Sequence, residues 1–355
     1  MPQQRTVWAI LWPMAIAPAD QLRSRTDAVI PVIDFGPCFS GASGALEGAA
    51  AELRRALEHV GFFIMINHGV PPDLIGRTFS EARRFHDQPM EAKLALRMNE
   101  HGNGYMIMGR YTVRTSEVNA NDKPDLNEAF FCRRERLPED PLLRSGRRFV
   151  GPNRWPEGLS GFRENVLAYT DAMDALTRRI LPVCAVALAL PPDAFDRAFA
   201  ESQFTFRLTH YPPVIADENQ YGIAPHTDAN FLTFLAQTDV PGLQLRMPSG
   251  QWVDVPYVPG SYAVNSGDMM HRWTNGRVKS TPHRALPPVG PHRYAIPFFL
   301  GPRIDTVIQC LPTCQGPDSP PRFPPITYAD YLKWWYDANY DPSLQNADAA
   351  AEPVD

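Results

Sequence analysis

Two side chains able to hold a metal ion, His226 and Asp228, stand two positions apart in this chain, and a third, His283, follows 55 positions later. In an extended segment, residues i and i+2 point to the same face, so one short strand can aim an imidazole and a carboxylate at one point. His283 lies in the run Lys279 to Arg284, which reads as a second strand. Two imidazoles and one carboxylate on neighbouring strands form the donor set that suits Fe(II) and leaves three coordination positions open. A His-x-Asp pair by itself is weak evidence, because surface pairs and satisfied core histidines produce the same pattern. Ten positions beyond His283 comes Arg293, at the head of the strand-like run Arg293 to Phe299. Its guanidinium is permanently charged and forked, and can grip a carboxylate through two parallel hydrogen bonds.

The text around these residues sharpens the reading. In order along the chain stand Ile30 to Phe35, Gly61 to Val70, His210-Tyr211-Pro212-Pro213, His226-Thr227-Asp228 and Gly242-Leu243-Gln244. Asn265-Ser266-Gly267-Asp268, Arg272 to Asn275, Ser280 to Arg284, and Arg293 follow. With these pieces the chain resembles the isopenicillin N synthase-like iron(II)/2-oxoglutarate-dependent dioxygenases over roughly residues 28 to 340. The resemblance implies that His226, Asp228 and His283 hold Fe(II), and that Arg293 takes the far carboxylate of 2-oxoglutarate. It also implies that Tyr211 reaches the same carboxylate, with Thr209 standing where an asparagine is frequent. The family commonly carries a serine two residues after the arginine. Here that residue is Ala295.

The same likeness implies the reaction. A small-molecule substrate and O2 are the partners, 2-oxoglutarate is the cosubstrate, succinate and CO2 are co-products, and ascorbate is an optional reductant. Hydroxylation is the default outcome; desaturation, ring closure and ethylene formation use the same centre. Two alternatives stay open at this point. One is an oxidase of the isopenicillin N synthase or aminocyclopropanecarboxylate oxidase type, which needs no 2-oxoglutarate. The other is a non-catalytic jelly-roll that binds a metabolite as a sensor.

The elements that must position these residues come next. From Gln203 onward the pattern has period 2, with strand-like runs at 203–211, 222–226, 231–237, 242–246, 251–254, 261–265, 280–286, 292–300 and 304–309. Many short strands at close spacing argue a sandwich or barrel. A metal triad inside it makes a double-stranded β-helix, the jelly-roll of the cupin type, the expected core of a mainly β protein with flanking helices. A strand is expected over 29–35 and another over 62–67. Apolar residues at helical spacing predict helices over 44–60 and 71–85. A long helix is expected over 159–190, bending at Pro182, with a shorter one over 193–200. Tyr328 to Tyr336 reads as a C-terminal helix, opened by Thr327 with Asp330 at the capping-box offset. The segment 100–127 has no clean periodicity and carries aromatic and basic residues, as binding loops often do. His68 and His86 have no carboxylate at a ligand-like spacing and are read as structural. Asn265 and Asp268 are read as residues of a tight turn that support the ligands.

The domain layout that follows is a leader over 1–27, expected to be disordered, and one dioxygenase domain over 28–340. Within it lie a helix-rich part (28–200), the jelly-roll core (203–309) and the C-terminal helix (326–338); a tail covers 341–355. The apolar run Val7 to Ala17 ends in Ala15-Ile16-Ala17, which imitates a signal-peptide site, but Pro13 interrupts it and Met14 offers an alternative start.

Composition bounds the function further. A net charge of −5 and a pI of about 6.0 offer no basic footprint for nucleic acid and no polybasic membrane patch. The five cysteines are scattered and odd in number, which argues a reduced compartment rather than a disulfide framework. These features, with the need for Fe(II) and a central metabolite, point to a cytoplasmic protein, a monomer or a weak homo-oligomer.

Overall fold

The computed structural model describes residues 30–340; the leader and tail read from the sequence lie outside the described residues. In chain order the strands are β1 (Val32–Asp34), β2 (Phe62–Ile66), β3 (Gly104–Met106), β4 (Glu128–Arg133), β5 (Gln203–Tyr211), β6 (Ile223–His226) and β7 (Leu232–Gln237). They continue with β8 (Leu243–Arg246), β9 (Trp252–Asp254), β10 (Tyr262–Ser266), β11 (His283–Ala285), β12 (Arg293–Gly301), β13 (Val307–Ile308) and β14 (Ile326–Thr327). The longer helices are α1 (Ala45–His59), α2 (Pro72–His86), α3 (Phe162–Ala187) and α4 (Tyr328–Asn339).

Eight strands form the main sheet in the order β1-β2-β10-β7-β12-β5-β4-β3, and four form a smaller sheet, β6-β11-β8-β9. All pairings within these two sheets are antiparallel except β1 with β2. The strands β1 to β4, which precede the period-2 region, join the same sheet as β5, β7, β10 and β12. The expected strand over 304–309 shrinks to β13, which pairs only with β14, and the expected strand over 280–286 shrinks to β11. The helix expected over 193–200 is reduced to Asp196–Phe199, while α3 runs through Pro182 to Ala187.

Parity along the strands explains the layering. On β5, Phe204, Phe206 and Leu208 face α1, α2 and α3 in one large apolar core, as do Ile296, Phe298 and Leu300 of β12 and Leu232 and Phe234 of β7. The alternate residues of these strands face the smaller sheet and the space between the sheets. A main sheet covered on both faces reads as a nearly continuous apolar run, and β2, with five buried residues in a row, is the plainest case. Each buried Phe or Leu contributes roughly 1.5–3 kcal/mol of transfer free energy, so the helix-covered face anchors the strands rigidly. The polar inward residues can then be held at fixed positions.

Thr327 caps α4 as its spacing predicts: its hydroxyl accepts from the Asp330 amide at 3.1 Å. The helix extends three residues past the expected Tyr336 end, to Asn339. Among the described residues, no helix is long and apolar enough to cross a membrane.

Candidate active site

His226 is the last residue of β6, and Asp228 lies two residues beyond it. His283 opens β11, directly opposite His226 in the register between the two strands. The imidazole Nδ1 of His226 meets the Ala224 carbonyl at 2.8 Å, and Nδ1 of His283 meets the Thr281 carbonyl at 3.1 Å. A carbonyl can only accept, so both Nδ1 atoms carry the proton and both Nε2 atoms present a lone pair. Each Nε2 lies 3.7 Å from Oδ1 of Asp228. The other carboxylate oxygen, Oδ2, is held by the Thr233 hydroxyl at 2.5 Å and the Asn265 amide at 2.8 Å. The carboxylate is thereby turned so that Oδ1 faces the two imidazoles. Two nitrogens and one oxygen converge, with backbone carbonyls and polar side chains fixing them from behind, as metal ligands require.

The electrostatics agree with that use. Burial pushes His226 down to about 4, helped by the neighbouring His283, so its imidazole is neutral near pH 7. Burial alone would raise Asp228, but His283, His226 and the Asn265 and Thr233 hydrogen bonds outweigh it and hold the carboxyl below its usual range. Gly267 secures the turn that carries the aspartate. A Cβ there would lie 2.2 Å from the Asn230 carbonyl and 2.7 Å from that of Asp228, so nothing larger than glycine fits. The Asp268 amide donates to the Asp228 carbonyl at 2.7 Å. Asn265 lies in β10 rather than in a turn, and its side-chain amide holds Asp228.

Beyond the triad the space between the sheets divides. One cavity, about 570 Å³ out to its mouth, is lined by all three triad residues together with Thr209, Tyr211 and Arg293. Arg293 and Tyr211 are register partners across β12 and β5, as are Ala295 and Thr209. The Arg293 guanidinium is 1% exposed and stacks over the Tyr211 ring at 4.7 Å. Its Nε and Nη1 are buried without a partner, and so is the Thr209 hydroxyl. A buried cation with two unused donors is costly unless an anion completes it. The small neighbours Ala285 and Ala295 leave the room that such an anion needs.

Comparison with known proteins bears directly on this arrangement. Residues 202–302 match the 2OG-Fe(II) oxygenase superfamily, and residues 30–158 match the non-haem dioxygenase in morphine synthesis N-terminal family. The 2-oxoglutarate-Fe(II) type oxidoreductase hxnY of Emericella nidulans is 36% identical over 320 residues, covering 87% of this chain and 90% of that one. The chain belongs to the 2OG-Fe(II) oxygenase superfamily. Kihadalactone A synthase LFS of Citrus sinensis is 33% identical, over 85% of this chain and 91% of its own. A Neurospora crassa protein solved in complex with alpha-KG and thymine superposes with a TM-score of 0.74 at 26% identity. That match covers 91% of this chain and 97% of the Neurospora protein.

As a member of this superfamily the protein is an enzyme, an oxidoreductase that uses Fe(II) and 2-oxoglutarate with O2 on a small molecule, and its fold is the expected jelly-roll. The dioxygenase has a second, larger cavity of about 740 Å³ out to its mouth, which His226, Asp228 and Arg207 share with the first. The irregular segment 107–127 forms one wall of it. That segment is tied to the strand carrying His226 by the Asn121 amide on the Pro225 carbonyl, at 3.2 Å. It is tied to the C-terminal helix by the Arg114 and Thr115 amides, which donate to Asn339 Oδ1 at 2.7 and 3.0 Å. Trp335, Tyr336 and Tyr340 form the opposite wall.

The sequence reading missed these helix residues, since a C-terminal amphipathic helix carries no mark of facing a cavity. It missed Thr233, which lies five residues past Asp228. It assigned no role to Arg207, although parity already placed it on the face of Thr209 and Tyr211.

The dioxygenase also contains a second convergence of ligand-type atoms, His86, Glu128 and His210, on the helix-covered side of the main sheet. Glu128 and His210 are register partners, and His210 Nδ1 lies 2.7 Å from Glu128 Oε1. His86, read as structural, does reach a carboxylate here, at 3.3 Å. Glu128 Oε2 is already taken by the Lys93 ammonium at 2.9 Å and by the Tyr105 hydroxyl. Burial favours the neutral acid, yet His210, His86 and Tyr105 hold Glu128 well below the usual carboxylate range. A buried ammonium beside the carboxylate repels a divalent ion, so this cluster is an ion-pair network that joins α2 to β4 and β5.

Proposed function

We propose that His226, Asp228 and His283 are the iron ligands, and that Arg293, Tyr211 and Thr209 receive 2-oxoglutarate. The observation that carries this reading is the buried Arg293, two of its donors unpartnered, in the same cavity as the three converging ligand atoms. Bound there, Fe(II) and 2-oxoglutarate supply O2 activation that ends in oxidation of a substrate C–H bond, with succinate and CO2 as co-products. The chain's own contribution is positional. Ala224 and Thr281 fix the imidazole tautomers, Thr233 and Asn265 fix the carboxylate, and Arg293 neutralises the far carboxylate of the cosubstrate away from water. Water is excluded by the aromatic wall of α4 and the segment 107–127, which lie over the open side of the triad.

The reaction proposed is hydroxylation of a small molecule by a cytoplasmic protein that acts as a monomer or weak homo-oligomer without nucleic acid or membrane. The experiment is an iron titration with an activity readout. Purified protein should bind one Fe(II) per chain, and His226→Ala, Asp228→Ala and His283→Ala should each lose most iron binding and most substrate-stimulated succinate formation. Full activity in Asp228→Ala without an added ligand would overturn the assignment.

A further inference from the structure

The larger cavity carries information about what the dioxygenase oxidises. Along β5 the inward residues are Thr205, Arg207, Thr209 and Tyr211, about 6.8 Å apart at each step. Thr209 and Tyr211 belong to the cavity that holds Arg293. Thr205 belongs to the larger one, and Arg207 stands at the join. Arg207 is 6% exposed, makes no ion pair among the described residues, and leaves its Nε buried without a partner. Its Nη2 donates to Asn127 Oδ1 at 2.8 Å, while the guanidinium lies over the Phe131 ring at 4.9 Å. A hydrogen bond on one side and a ring beneath fix the orientation of the cation and leave its charge unmet.

Much of the remaining wall is aromatic, with Tyr111, Trp335, Tyr336 and Tyr340 among its residues. A second unpartnered buried donor, the indole Nε1 of Trp335, belongs to this wall. Apart from the ligand Asp228, the acidic residue among the described lining residues is Asp125. Burial pushes it up to about 7, and its Oδ1 accepts from the Ala224 amide at 2.9 Å. Among the described residues it forms neither an ion pair nor a hydrogen bond with Arg207, whose hydrogen-bond partner there is Asn127.

We infer that the substrate is a compact, ring-bearing monocarboxylate, its carboxylate on Arg207 and its ring against the aromatic wall, with an acceptor group facing Trp335. The inference rests on the dioxygenase reading of the triad and names the substrate class of that same site. A single cation suits a single negative charge. A phosphate monoester or dicarboxylate would leave a second charge buried with no second arginine or lysine among the described lining residues to meet it. The ring is favoured because flat faces bury large area against Tyr and Trp at low entropic cost.

The test uses anaerobic holoenzyme with Fe(II) and saturating 2-oxoglutarate. Benzoate, phenylacetate and cinnamate are titrated calorimetrically against their primary amides, which match them in shape and lack the charge. The best acid should bind about tenfold or more tightly than its amide, the difference between a charge-assisted and a neutral contact. Arg207→Gln should erase that gap. Arg207→Lys, which keeps the charge but not the fork, should retain part of it. Equal binding of acids and amides to wild type overturns the inference, and so does a gap that survives in Arg207→Gln. A raised 2-oxoglutarate requirement in Arg207→Gln with an unchanged gap would instead place the guanidinium on the cosubstrate and also overturn it. If Arg207→Gln fails to fold, the wild-type pairs and Arg207→Lys still decide. Failure of 2-oxoglutarate to bind the Fe(II) protein would sink the dioxygenase reading itself. Normal 2-oxoglutarate binding with no acid preference sinks the substrate class alone.

Discussion

Replacing Arg293 with leucine should uncouple two quantities that usually move together, stability and cosubstrate affinity. The guanidinium is 1% exposed, with Nε and Nη1 lacking partners among the described residues and Nη2 3.5 Å from Gln237 Oε1. Substituting a buried, uncompensated ion with an apolar side chain of similar volume is commonly neutral or stabilising by about 1–4 kcal/mol. Arg293→Leu should therefore melt at the wild-type temperature or above it when 2-oxoglutarate is absent. With 2-oxoglutarate present the balance shifts towards wild type. A charge-assisted contact contributes roughly 1.5–3 kcal/mol, so the variant should need about 10- to 150-fold more cosubstrate. Wild type gains about 2.7 kcal/mol at a hundredfold excess over its dissociation constant, and the variant loses from about half to nearly all of that gain. Tyr211→Phe keeps the ring beneath the guanidinium and loses only a neutral hydroxyl, at a cost of about 1 kcal/mol or roughly fivefold. Ala295→Ser places a hydroxyl opposite the unpartnered Thr209 and should leave the requirement unchanged or lower it. Thermal melts with and without 2-oxoglutarate and succinate formation across a concentration series read all three variants. An unchanged 2-oxoglutarate requirement in Arg293→Leu would refute the reasoning. So would product formed by wild type with no 2-oxoglutarate and no succinate, which would favour the oxidase alternative.

Three further outcomes are expected. Thr233→Val and Asn265→Ala each remove one of the two donors on Oδ2 of Asp228 and should weaken iron binding by roughly 10- to 100-fold; competition with a chelator measures this, and wild-type affinity in both would show that the aspartate needs no orientation. Hydrogen exchange in residues 107–127 should slow when a true substrate enters, because that segment lines the larger cavity; unchanged exchange would remove it from the substrate site. Acid stability should depend on Glu128, whose carboxyl is depressed in the folded state. Its contribution is present above the unfolded value near 4.5 and is lost as pH falls towards the lower folded value. Glu128→Gln should flatten the decline of the melting temperature below about pH 4.5, and an unaltered acid limb would contradict the network described for this residue.

What the sequence made legible follows from periodicity and spacing. The convergence of His226, Asp228 and His283 could be read because the first two stand two positions apart and the third heads a strand of its own. Tyr211 and Thr209 could be placed on one face by parity, and α4 by the Thr327 and Asp330 cap. Long-range partners were not legible. Thr233 reaches Asp228 only because the 228–231 turn folds back, and no local pattern encodes that turn except Gly267, which lies far away in sequence. His86 and Glu128 are 42 positions apart on a helix and a strand, a separation no ligand spacing rule anticipates. The strand expected over 304–309 shrank to Val307–Ile308 because apolar alternation does not say whether a sheet edge is available, and β12 had both edges filled already by β5 and β7.

The larger cavity is bounded by two stretches of chain separated by some two hundred residues, and one side chain, Asn339, latches them together through both its amide groups. The three converging side chains, His226, Asp228 and His283, lie on neither stretch. Oxidative power and molecular choice are thus carried by separate parts of the polypeptide. A lineage of such enzymes can diversify by rewriting α4 and the segment facing it, while the strands beneath are inherited unaltered. Exchange of that pair between relatives, as a unit that includes the latch, is the natural route to a new reactant for an old oxidant.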